Sequence, residues 1–337
     1  MLIKAIDLFA GIGGIRLGFE TAGFKIVYSN DVDKECCRTY RENFGEIDEK
    51  DIRLVNIDEI PDAEVLLAGF PCQPYSMIGK RNGLKDERGK LFFHIVKILS
   101  VKKPAVFFLE NVRHLLNHDK GATYERVMSG LEWAGYRVFS KILDSQHFDV
   151  PQHRERLYIV GFLKDFFGSE FEFNFPEGSK INTKIKDILE AKVDENYYLS
   201  ERYYTGLLAH KERHKKAGNG FGCQILSPKG IANTLVAGNM GRERNLIVDK
   251  PTNKNRWGIR RLTIRECARL QGFPDNFQFP VSITRTYEQL GNSVTVPVVN
   301  AIASEIKKVI EQSPLVAAPT VVFPEPISLS FHKTATA

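Results

Sequence analysis

The first 31 residues constrain the fold more than any other part of the chain, because they alternate between strand and helix. Residues 3–8 are predicted to form a buried strand, and a glycine-rich turn over residues 7–14 then leads into a helix. The predicted helix carries apolar or small residues with helical spacing on one face: Ile15, Gly18, Phe19 and Ala22. A second strand over residues 25–29 ends at Asn30-Asp31. This βαβ order predicts a parallel sheet covered by helices.

The glycine turn also indicates the kind of ligand that this βαβ unit binds. Asp31 follows the glycines by roughly 20 residues, which is where a carboxylate holds the ribose hydroxyls of a bound nucleoside. The glycines lack the G-x-G-x-x-G spacing, so a pyrophosphate would meet few backbone donors there. The pattern therefore favours a nucleoside without a phosphate chain, such as S-adenosylmethionine, over a nicotinamide dinucleotide.

The alternation of strands and helices continues to about residue 165. Further strands are predicted over 65–70, 105–109 and 136–143, and further helices over 89–101, 124–134 and 260–273. Residues 166–176 are aromatic with flanking glycines and are predicted to form a linker or an edge hairpin. Residues 181–261 lose the alternation. The chain is therefore predicted to be an α/β protein with a second, irregular region.

Cys72 lies at the end of a predicted strand and is a candidate nucleophile. Proline ends strand pairing, so Pro71 places the thiol of Cys72 just past the carboxyl end of the strand, where open α/β sheets bind ligands. Residues 74–83 are polar, basic and glycine-bearing, which indicates a mobile loop beside the candidate nucleophile. A cysteine that only fills space in the core is the alternative interpretation.

Glu110 follows five apolar residues, 105–109, and is a candidate acid. A carboxylate after so apolar a strand is costly to bury unless it is paired or protonated, so its pKa is predicted to be raised. Parallel strands would bring Glu110 to the same sheet edge as Cys72. A helix cap or a surface carboxylate is the alternative interpretation.

Arg154 and Arg156 are two residues apart, so on a strand they would share one face. Two guanidinium groups on one face would bind an anion or a carbonyl group of a base. His147 and His153 lie nearby, but no partner spacing supports a general base. Both histidines are therefore interpreted as structural or surface residues.

The positive charge of the chain is concentrated in residues 181–261. The whole chain has a formal net charge of +6, whereas this segment contains 16 Lys and Arg against 8 Asp and Glu. The segment also contains glycine-rich stretches at 218–222 and 238–241. Flexible backbone beside Arg, Lys and Asn suits contacts to phosphates and base edges. A solvated basic face is the alternative interpretation.

Several classes of protein are disfavoured by other features. Five cysteines without a CxxC pair argue against a disulfide framework and a zinc site, and free thiols fit a reducing cytoplasm. The sequence has no run of 18 or more apolar residues that could span a membrane, and its first residues do not resemble a signal peptide. His210 and His214 are four residues apart, but without a third ligand no metal site is expected.

Six motifs occur in the order and spacing of the DNA cytosine-5 methyltransferases, and the chain resembles that family over roughly residues 3–311. The motifs are the turn Asp7 to Gly14, Pro71-Cys72-Gln73, Glu110-Asn111-Val112, Gln152-x-Arg154-x-Arg156, Arg265 to Pro274, and Gly291-Asn292-Ser293-Val294. The resemblance implies an α/β fold: a class I S-adenosylmethionine-dependent methyltransferase (Rossmann-like) sheet with a smaller irregular target-recognition domain. It also implies S-adenosylmethionine as cofactor and double-stranded DNA as substrate.

The resemblance implies a division of the chain into four parts. Residues 1–178 would form the catalytic and cofactor-binding domain, and residues 179–288 the target-recognition domain. Residues 289–312 would return to the catalytic domain. Residues 313–337 contain four prolines and no helical period, so they are predicted to be a loose tail.

The resemblance assigns the chemistry to four residues. Cys72 would add to C6 of the cytosine, and Glu110 would donate a proton to N3. Arg156 would hold O2, while Arg154 would steady the Cys72 loop or a phosphate. The cytosine would have to flip out of the duplex, because C6 cannot be reached in a stacked base.

The resemblance also implies the residues that contact the cofactor and the DNA. The cofactor contacts would be Phe9, Ala10, Gly11, Gly13, Asp31, Val32, Asp51, Ile52, Leu91, Asn292 and Ser293. The DNA contacts would be Gln73, Ile78, Lys80, Arg81, Thr234, Arg242 and Arg244. Asp31 would bind the ribose, Val32 and Ile52 the adenine faces, and Asp51 the adenine amino group. Asp31 and Val32 stand where the family often has Glu and Trp, which implies a shorter ribose contact and weaker stacking.

The basic segment is similar to that of bacterial methyltransferases paired with CCGG-cutting restriction enzymes, in residues 210–214, 218–222 and 241–245. This implies methylation of the inner cytosine of CCGG in the bacterial cytoplasm, by a monomer that does not bind the paired enzyme stably. The RNA branch of the family, which methylates a tRNA cytosine, and a catalytically inactive DNA-binding homologue are the alternatives. The long basic segment favours DNA, and intact Cys72, Glu110 and Arg156 argue against an inactive protein.

Overall fold

The computed structural model describes residues 2–71, 91–179, 182–220, 222–238 and 242–313. Within these ranges a seven-stranded sheet forms the centre of the molecule. Its strands are β1 Lys4–Leu8, β2 Lys25–Asp31, β3 Asp48–Glu49, β4 Val65–Ala68, β5 Val106–Val112, β6 Tyr136–Asp144 and β7 Glu155–Leu163.

The sheet has the strand order β3-β2-β1-β4-β5-β7-β6. The strands from β3 to β5 in that order run parallel, whereas β7 runs antiparallel to both β5 and β6. Residues 145–154 connect β6 to β7, and so short a connection can only join antiparallel strands. As a result, the carboxyl ends of β4 and β5 lie side by side, next to the amino end of β7.

Helices cover both faces of the sheet. The helices within the described ranges, including those of the irregular region, are α1 Gly14–Thr21, α2 Lys34–Phe44, α3 Leu91–Lys102, α4 Ala122–Trp133, α5 Lys164–Phe167, α6 Ile185–Ile188, α7 Glu201–Lys216, α8 Ile264–Leu270, α9 Ile283–Asn292 and α10 Val296–Gln312. Phe19 of α1 and Ile302 of α10 belong to the core on one face. Phe92 of α3 and Leu131 of α4 belong to the core on the other. The predicted α/β sheet is thus confirmed. Among the described helices, none is long and apolar enough to cross a membrane.

The last helix packs against the first. Gly18 of α1 faces α10, and a Cβ atom on residue 18 would lie only 2.6 Å from Cγ1 of Val299. The two helices can therefore approach this closely only because residue 18 has no side chain. The approach brings the segment that precedes α10 back to the glycine turn after β1.

The irregular region has a smaller core that contains a buried ion pair. This region includes the antiparallel strands β8 Leu246–Val248 and β9 Ile259–Arg261. Arg260 donates two hydrogen bonds, of 2.8 and 2.9 Å, to the carboxylate of Glu266, and both side chains are buried. The predicted helix over 260–273 is wrong at its start, because Arg260 lies in β9. The helix begins at Ile264, after Thr263 caps it by accepting the Glu266 N–H.

The predicted edge hairpin over residues 166–176 is wrong, because residues 168–179 form no strand and are an irregular connection. Phe167, Phe171 and Phe173 surround Phe162 of β7, with ring centroids 5.1, 4.7 and 5.1 Å from that ring. Aromatic pairs at these distances stabilise a core beyond the area they bury. The segment therefore covers one face of the sheet instead of leaving it.

Asp7 is a buried carboxyl group in β1, directly before the glycine turn. Its side chain is fully buried, and neither carboxyl oxygen has a hydrogen-bond partner among the described residues. Burial raises the pKa of Asp7 to about 8, although the positive charge of Arg16 opposes the shift. The folded chain therefore keeps a proton that the unfolded chain releases at about pH 4.

We expect Asp7→Asn to raise the free energy of unfolding, and to raise it more at pH 8 than at pH 5. Between about pH 4 and about pH 8 the unfolded chain binds fewer protons at Asp7 than the folded chain, so the wild type loses stability as pH rises. Asparagine removes this loss, which is on the order of a few kcal/mol at neutral pH. Urea unfolding at both pH values measures the difference, with the exposed Asp62→Asn as control. An effect of Asp7→Asn that does not change with pH would contradict the assignment.

Candidate active site

Glu110 and Arg156 form an ion pair at the sheet edge where β4 and β5 end. Glu110 lies opposite Tyr158 of β7, and Arg156 lies opposite Val112, so the two side chains are diagonal neighbours. Arg156 Nε is 3.1 Å from Glu110 Oε1, and the two side chains are only 14% and 12% exposed. The prediction that Glu110 directly follows its strand is wrong, because pairing with β7 extends β5 to Val112.

The pKa of the Glu110 carboxyl is raised by burial, and the positive charges of Arg156 and Arg154 only partly oppose the shift. The direction agrees with the raised pKa expected from the sequence. A carboxyl group with a raised pKa retains its proton closer to neutral pH and can act as a general acid. The Arg156 guanidinium also fixes its orientation.

Cys72 lies outside the described residues, but the chain that leads to it is held beside Glu110. The carbonyl oxygen of Phe70, two residues before Cys72, accepts a hydrogen bond of 3.2 Å from Asn111 Nδ2. Asn111 is buried and follows Glu110 in β5. The strand β4 ends at Ala68, short of the predicted residue 70, so a side chain replaces backbone pairing at this point. The segment that precedes the candidate nucleophile thus lies beside the strand that carries the candidate acid.

Arg154 precedes β7 and is buried against backbone carbonyl groups. Its guanidinium donates to the carbonyl oxygens of Leu235, Gly291 and Ser293, at 2.6, 3.1 and 2.5 Å. The prediction that Arg154 and Arg156 share one strand face is therefore wrong, since only Arg156 lies in the strand. Instead of forming a joint anion site, the two arginines hold different partners. The described contacts of Arg154 join the irregular region to the segment before α10.

Gln152 is a second junction residue, and sequence reasoning gave it no role. Its buried side chain donates to the carbonyl oxygen of Leu270 at 2.9 Å and accepts the N–H of Leu235 at 2.8 Å. Its amide nitrogen also lies 3.3 Å from the Gln271 side-chain oxygen, which accepts from Thr295 at 3.0 Å. The sequence signal for this role was the place of Gln152 in the motif Gln152-x-Arg154-x-Arg156. A polar side chain that is buried needs hydrogen-bond partners.

We expect Gly291→Ala to destabilise this junction. A Cβ atom at residue 291 would lie 2.4 Å from both the Ala237 nitrogen and the Val236 carbonyl carbon, which are backbone atoms with little freedom to move. Overpacking of this kind costs about 1–3 kcal/mol of unfolding free energy. Urea unfolding measures the loss. Gly206→Ala in α7 is the matched control, because a Cβ atom there meets nothing within 4 Å. Equal stability of the two variants would contradict the close approach.

His153 has a partner that its sequence spacing did not reveal. Its Nδ1 lies 2.5 Å from Oδ2 of Asp144, the last residue of β6, and its ring is 53% exposed. The His153 N–H donates to the Ala232 carbonyl at 2.9 Å, and its carbonyl accepts from Thr234 Oγ1 at 2.7 Å. A carboxylate therefore orients an imidazole at the junction of the two regions. His153 is thus a surface residue, as expected from the sequence, and the hairpin gives it Asp144 as a partner.

The turn after β1 is open to a ligand. Phe9, Gly11 and Gly13 have left-handed backbone conformations, with φ of 56°, 56° and 86°. A Cβ atom at Gly11 would meet nothing within 4 Å. Asp31 Oδ2 accepts the Gly11 N–H at 2.7 Å, and Oδ1 accepts the Asp33 N–H at 2.8 Å. Burial raises the pKa of Asp31 although these hydrogen bonds oppose the shift. The carboxyl group thus joins the turn to the end of β2.

The residues assigned to the adenine differ in how much surface they expose. Val32 is 62% exposed, whereas Ile52 is 5% exposed and has little surface that could contact a ligand. The Arg53 guanidinium donates to the Asp51 carboxylate at 2.5 Å and holds the pKa of Asp51 below its usual value. A ligand amino group that bonds to the Asp51 carboxylate would therefore bind it together with the Arg53 guanidinium. Leu91 begins α3 and packs against the same apolar cluster as Ile52.

Asn292 and Ser293 reach the turn from the far end of the chain. The helix α9 ends at Asn292, and Ser293 is its C-cap. A Cβ atom at Gly14 would lie 2.7 Å from Ser293 Oγ, so Ser293 sits directly against the turn. The fold therefore assembles one surface from residues 9–14, Asp31 and residues 292–293.

The residues assigned to DNA are divided between described and undescribed parts of the chain. Those outside the described residues are Gln73, Ile78, Lys80 and Arg81. Thr234 lies at the junction and bonds to His153. Arg242 places its guanidinium 4.9 Å from the ring centroid of Tyr287 in α9, and Arg244 is partly buried. Stacking on Tyr287 holds Arg242 against α9.

The family model of the C-5 cytosine-specific DNA methylases matches residues 3–308. The chain belongs to this family. The match covers the sheet, the irregular region and the return of α9 and α10 to the first core. The chain is thus a DNA (cytosine-5) methyltransferase, as its motifs implied.

The curated relatives of this DNA methylase are type II methyltransferases. M.HpaII of Haemophilus parainfluenzae is 46% identical over 89% of this chain and 88% of its own length. M.DsaV of Dactylococcopsis salina is 43% identical over 92% of this chain and 87% of its own. M.MspI of a Moraxella species is 41% identical over 92% of this chain and 73% of its own. These identities place the enzyme among the cytosine methyltransferases of restriction–modification type.

Solved structures share the fold of this methylase. The Dnmt2 methyltransferase of S. pombe superposes with a TM-score of 0.74 at 23% identity, over 93% of this chain and 99% of that one. The Entamoeba histolytica methyltransferase EhMeth gives 0.72 at 21% identity, over 92% and 98%. Together with the family match, they confirm the predicted class I methyltransferase sheet.

The methyl donor of this family is S-adenosylmethionine, and the residues present fit it. The turn at Gly11 has room for a ligand, Asp31 supplies a carboxyl group beside it, and exposed Val32 supplies an apolar face. We therefore retain Phe9, Gly11, Asp31 and Ser293 among the proposed cofactor residues. When bound, this cofactor supplies an electrophilic methyl group on a sulfonium sulfur.

Proposed function

We propose that this DNA methylase methylates C5 of a flipped-out cytosine, the inner cytosine of CCGG, and so protects that sequence from a paired restriction enzyme. The observation that carries the catalytic part is the buried Glu110–Arg156 pair beside the segment that leads to Cys72. An acid, a guanidinium and a thiol are the groups that this reaction requires on one side of a cytosine ring.

Cytosine C5 is a poor nucleophile until a thiolate adds to C6. In the proposed reaction, Cys72 Sγ forms a bond to C6, and Glu110 donates its proton to N3 as the ring electrons move. The Arg156 guanidinium, 3.1 Å from Glu110, is placed to hold O2 of the same ring. C5 then carries enough electron density to attack an electrophilic methyl group.

Completion of the reaction needs a proton acceptor for C5. After methylation the N3 proton returns to Glu110, the C5 proton leaves, the C5–C6 double bond re-forms and Cys72 departs as the thiolate. We assign the acceptor role to a water molecule, because the proposed roles of Cys72, Glu110 and Arg156 leave none of them as a base for C5.

The proposed DNA contacts follow from the position of the junction. Extraction of a cytosine costs a few kcal/mol of stacking and pairing, so protein groups must fill the vacated space. Ile78, in the segment after Cys72, is the proposed filler, and Gln73, Lys80 and Arg81 of the same segment are proposed DNA contacts. Thr234 lies on the irregular region next to His153, which supports a contact between this region and the DNA near the flipped base.

Protection from restriction enzymes tests the target sequence. Plasmid DNA incubated with the enzyme and S-adenosylmethionine should resist cleavage at CCGG by enzymes blocked by methylation of the inner cytosine. Bisulfite sequencing should then locate 5-methylcytosine at that position. Plasmids with related sites that contain an extra central base pair are the control. Modification of those sites with CCGG untouched would contradict the proposed target but keep the reaction.

Transfer to RNA is the second activity to measure. Labelled S-adenosylmethionine, with duplex DNA or tRNA as acceptor, separates the DNA branch from the RNA branch of the family. We expect label in DNA only. We further propose that the enzyme is a monomer that acts in the bacterial cytoplasm and does not bind the restriction enzyme stably. The proposed domain boundaries lie at residues 178, 288 and 312.

A further inference from the structure

Two histidines near the end of α7 point their rings at each other. His210 and His214 are one helical turn apart, their ring centroids are 4.3 Å apart, and their Nε2 atoms are 3.0 Å apart. Neither residue has a part in the proposed methyl transfer. His210 is exposed and His214 is partly buried, so the pair is open to solvent.

Asn219 determines which nitrogen of His214 carries the proton. The side-chain oxygen of Asn219 lies 2.5 Å from His214 Nδ1, and an amide oxygen can only accept. His214 Nδ1 is therefore the donor, and its Nε2 in the neutral ring carries a lone pair. That lone pair is directed at His210 Nε2. A hydrogen bond from one ring nitrogen to an outer acceptor is the usual support of a metal-binding histidine.

The separation of the two Nε2 atoms matches adjacent ligands of one metal ion. Imidazole nitrogens bind transition metals such as zinc at about 2.0–2.1 Å. Two such ligands are about 3.0 Å apart at the right angle of octahedral or square-planar coordination, and about 3.3–3.4 Å apart at the tetrahedral angle of zinc. A hydrogen bond between the rings would also give this distance, and it is the competing explanation. Among the described residues no group of three or more His, Cys, Asp or Glu could hold a metal, so water would complete the coordination.

The donor atoms of the pair determine which metals would bind. Lys211, Arg213, Lys215 and Lys216 belong to the same part of α7 and repel all divalent cations alike. Calcium and magnesium need oxygen ligands, so a site of two imidazole nitrogens disfavours them. Nickel, copper and zinc form strong bonds to imidazole. We propose that His210 and His214 form a two-histidine site for a divalent transition metal, with Asn219 as the residue that orients His214.

Titration of the full-length protein with Ni²⁺ tests the site. Isothermal calorimetry should show saturable binding of nickel by the wild type, and His210→Gln and His214→Gln should each abolish that binding. Lys215→Gln is the matched control, because it removes a neighbouring charge and keeps both ligands, and its affinity should equal or exceed that of the wild type. Circular dichroism establishes that each variant is folded.

Asn219 separates a metal site from a simple pair of histidines. Asn219→Ala should weaken nickel binding by about tenfold, the lower end of the effect of losing such a supporting residue. Asn219→Asp keeps the acceptor and should restore the affinity. The proposal is overturned if the wild type binds no nickel, which would leave the hydrogen bond between the rings as the explanation. It is equally overturned if both histidine variants bind nickel as the wild type does.

Discussion

Glu110→Gln is expected to lower the rate of methyl transfer to DNA by about 10²- to 10⁴-fold, which is the usual contribution of a general acid. Glutamine has the size of glutamate but cannot deliver a proton to N3 of the cytosine. It also removes the carboxylate that Arg156 contacts at 3.1 Å. Single-turnover transfer of a labelled methyl group, with enzyme in excess over DNA, measures the chemical step directly.

The pH dependence of the methyl-transfer rate shows whether Glu110→Gln acts by removing an acid or by disturbing the structure. Because burial raises the pKa of Glu110, its protonated form persists to higher pH and is lost as pH rises through that pKa. The wild-type rate should therefore decline towards alkaline pH, and the glutamine variant should lack this decline. Glu155→Gln is the control, because Glu155 lies on β7 nearby but pairs with Arg113. Equal rates of methyl transfer for the wild type and Glu110→Gln would show that Glu110 is not the general acid.

Cys72→Ser is expected to abolish methyl transfer while leaving DNA binding intact. A serine hydroxyl does not ionise near neutral pH and adds poorly to C6, so C5 would never become nucleophilic. The same labelled single-turnover assay measures the loss. Binding of DNA, measured by fluorescence anisotropy, should change little because the two side chains have nearly the same size.

A trapped intermediate gives this prediction a second readout. DNA with 5-fluorocytosine at the target cannot lose a proton from C5, so the wild type should form a covalent complex that survives denaturation. The serine variant should not form this complex. Cys36→Ser is the control, since Cys36 is a partly buried thiol of α2 with no role in the proposed reaction. Methyl transfer by Cys72→Ser at the wild-type rate would refute covalent catalysis.

The strands and the main chemical groups could be predicted because each depends on local sequence. Buried strands read as short apolar runs, and proline and glycine mark where they stop, so the positions of Glu110 and of the glycine turn were predictable. The boundaries were less accurate. The predicted strand ends at residue 109, where the apolar run ends. The observed strand β5 continues to Val112, because β7 provides a partner for Glu110, Asn111 and Val112.

The junction between the two regions could not be predicted, because its contacts join residues far apart in the chain. Arg154 bonds to Leu235 and Gly291, which are 81 and 137 residues away. Its sequence context suggests a strand residue that binds an anion, and only the folded chain shows three carbonyl groups around it. The same reason applies to Asp144 and His153, whose pairing depends on how the β6–β7 hairpin closes.

The hydrogen bond from Asn111 to the Phe70 carbonyl has a consequence for how tolerant this enzyme is to change. Side chains alternate between the two faces of a strand, so a slip of β5 by one residue against β4 would turn the residue 110 carboxyl to the opposite face. The same slip would carry Asn111 away from the Phe70 carbonyl, so the chain that leads to Cys72 would lose this contact. Insertions or deletions between β4 and β5 are therefore tolerated only where they leave the alignment of these two strands unchanged.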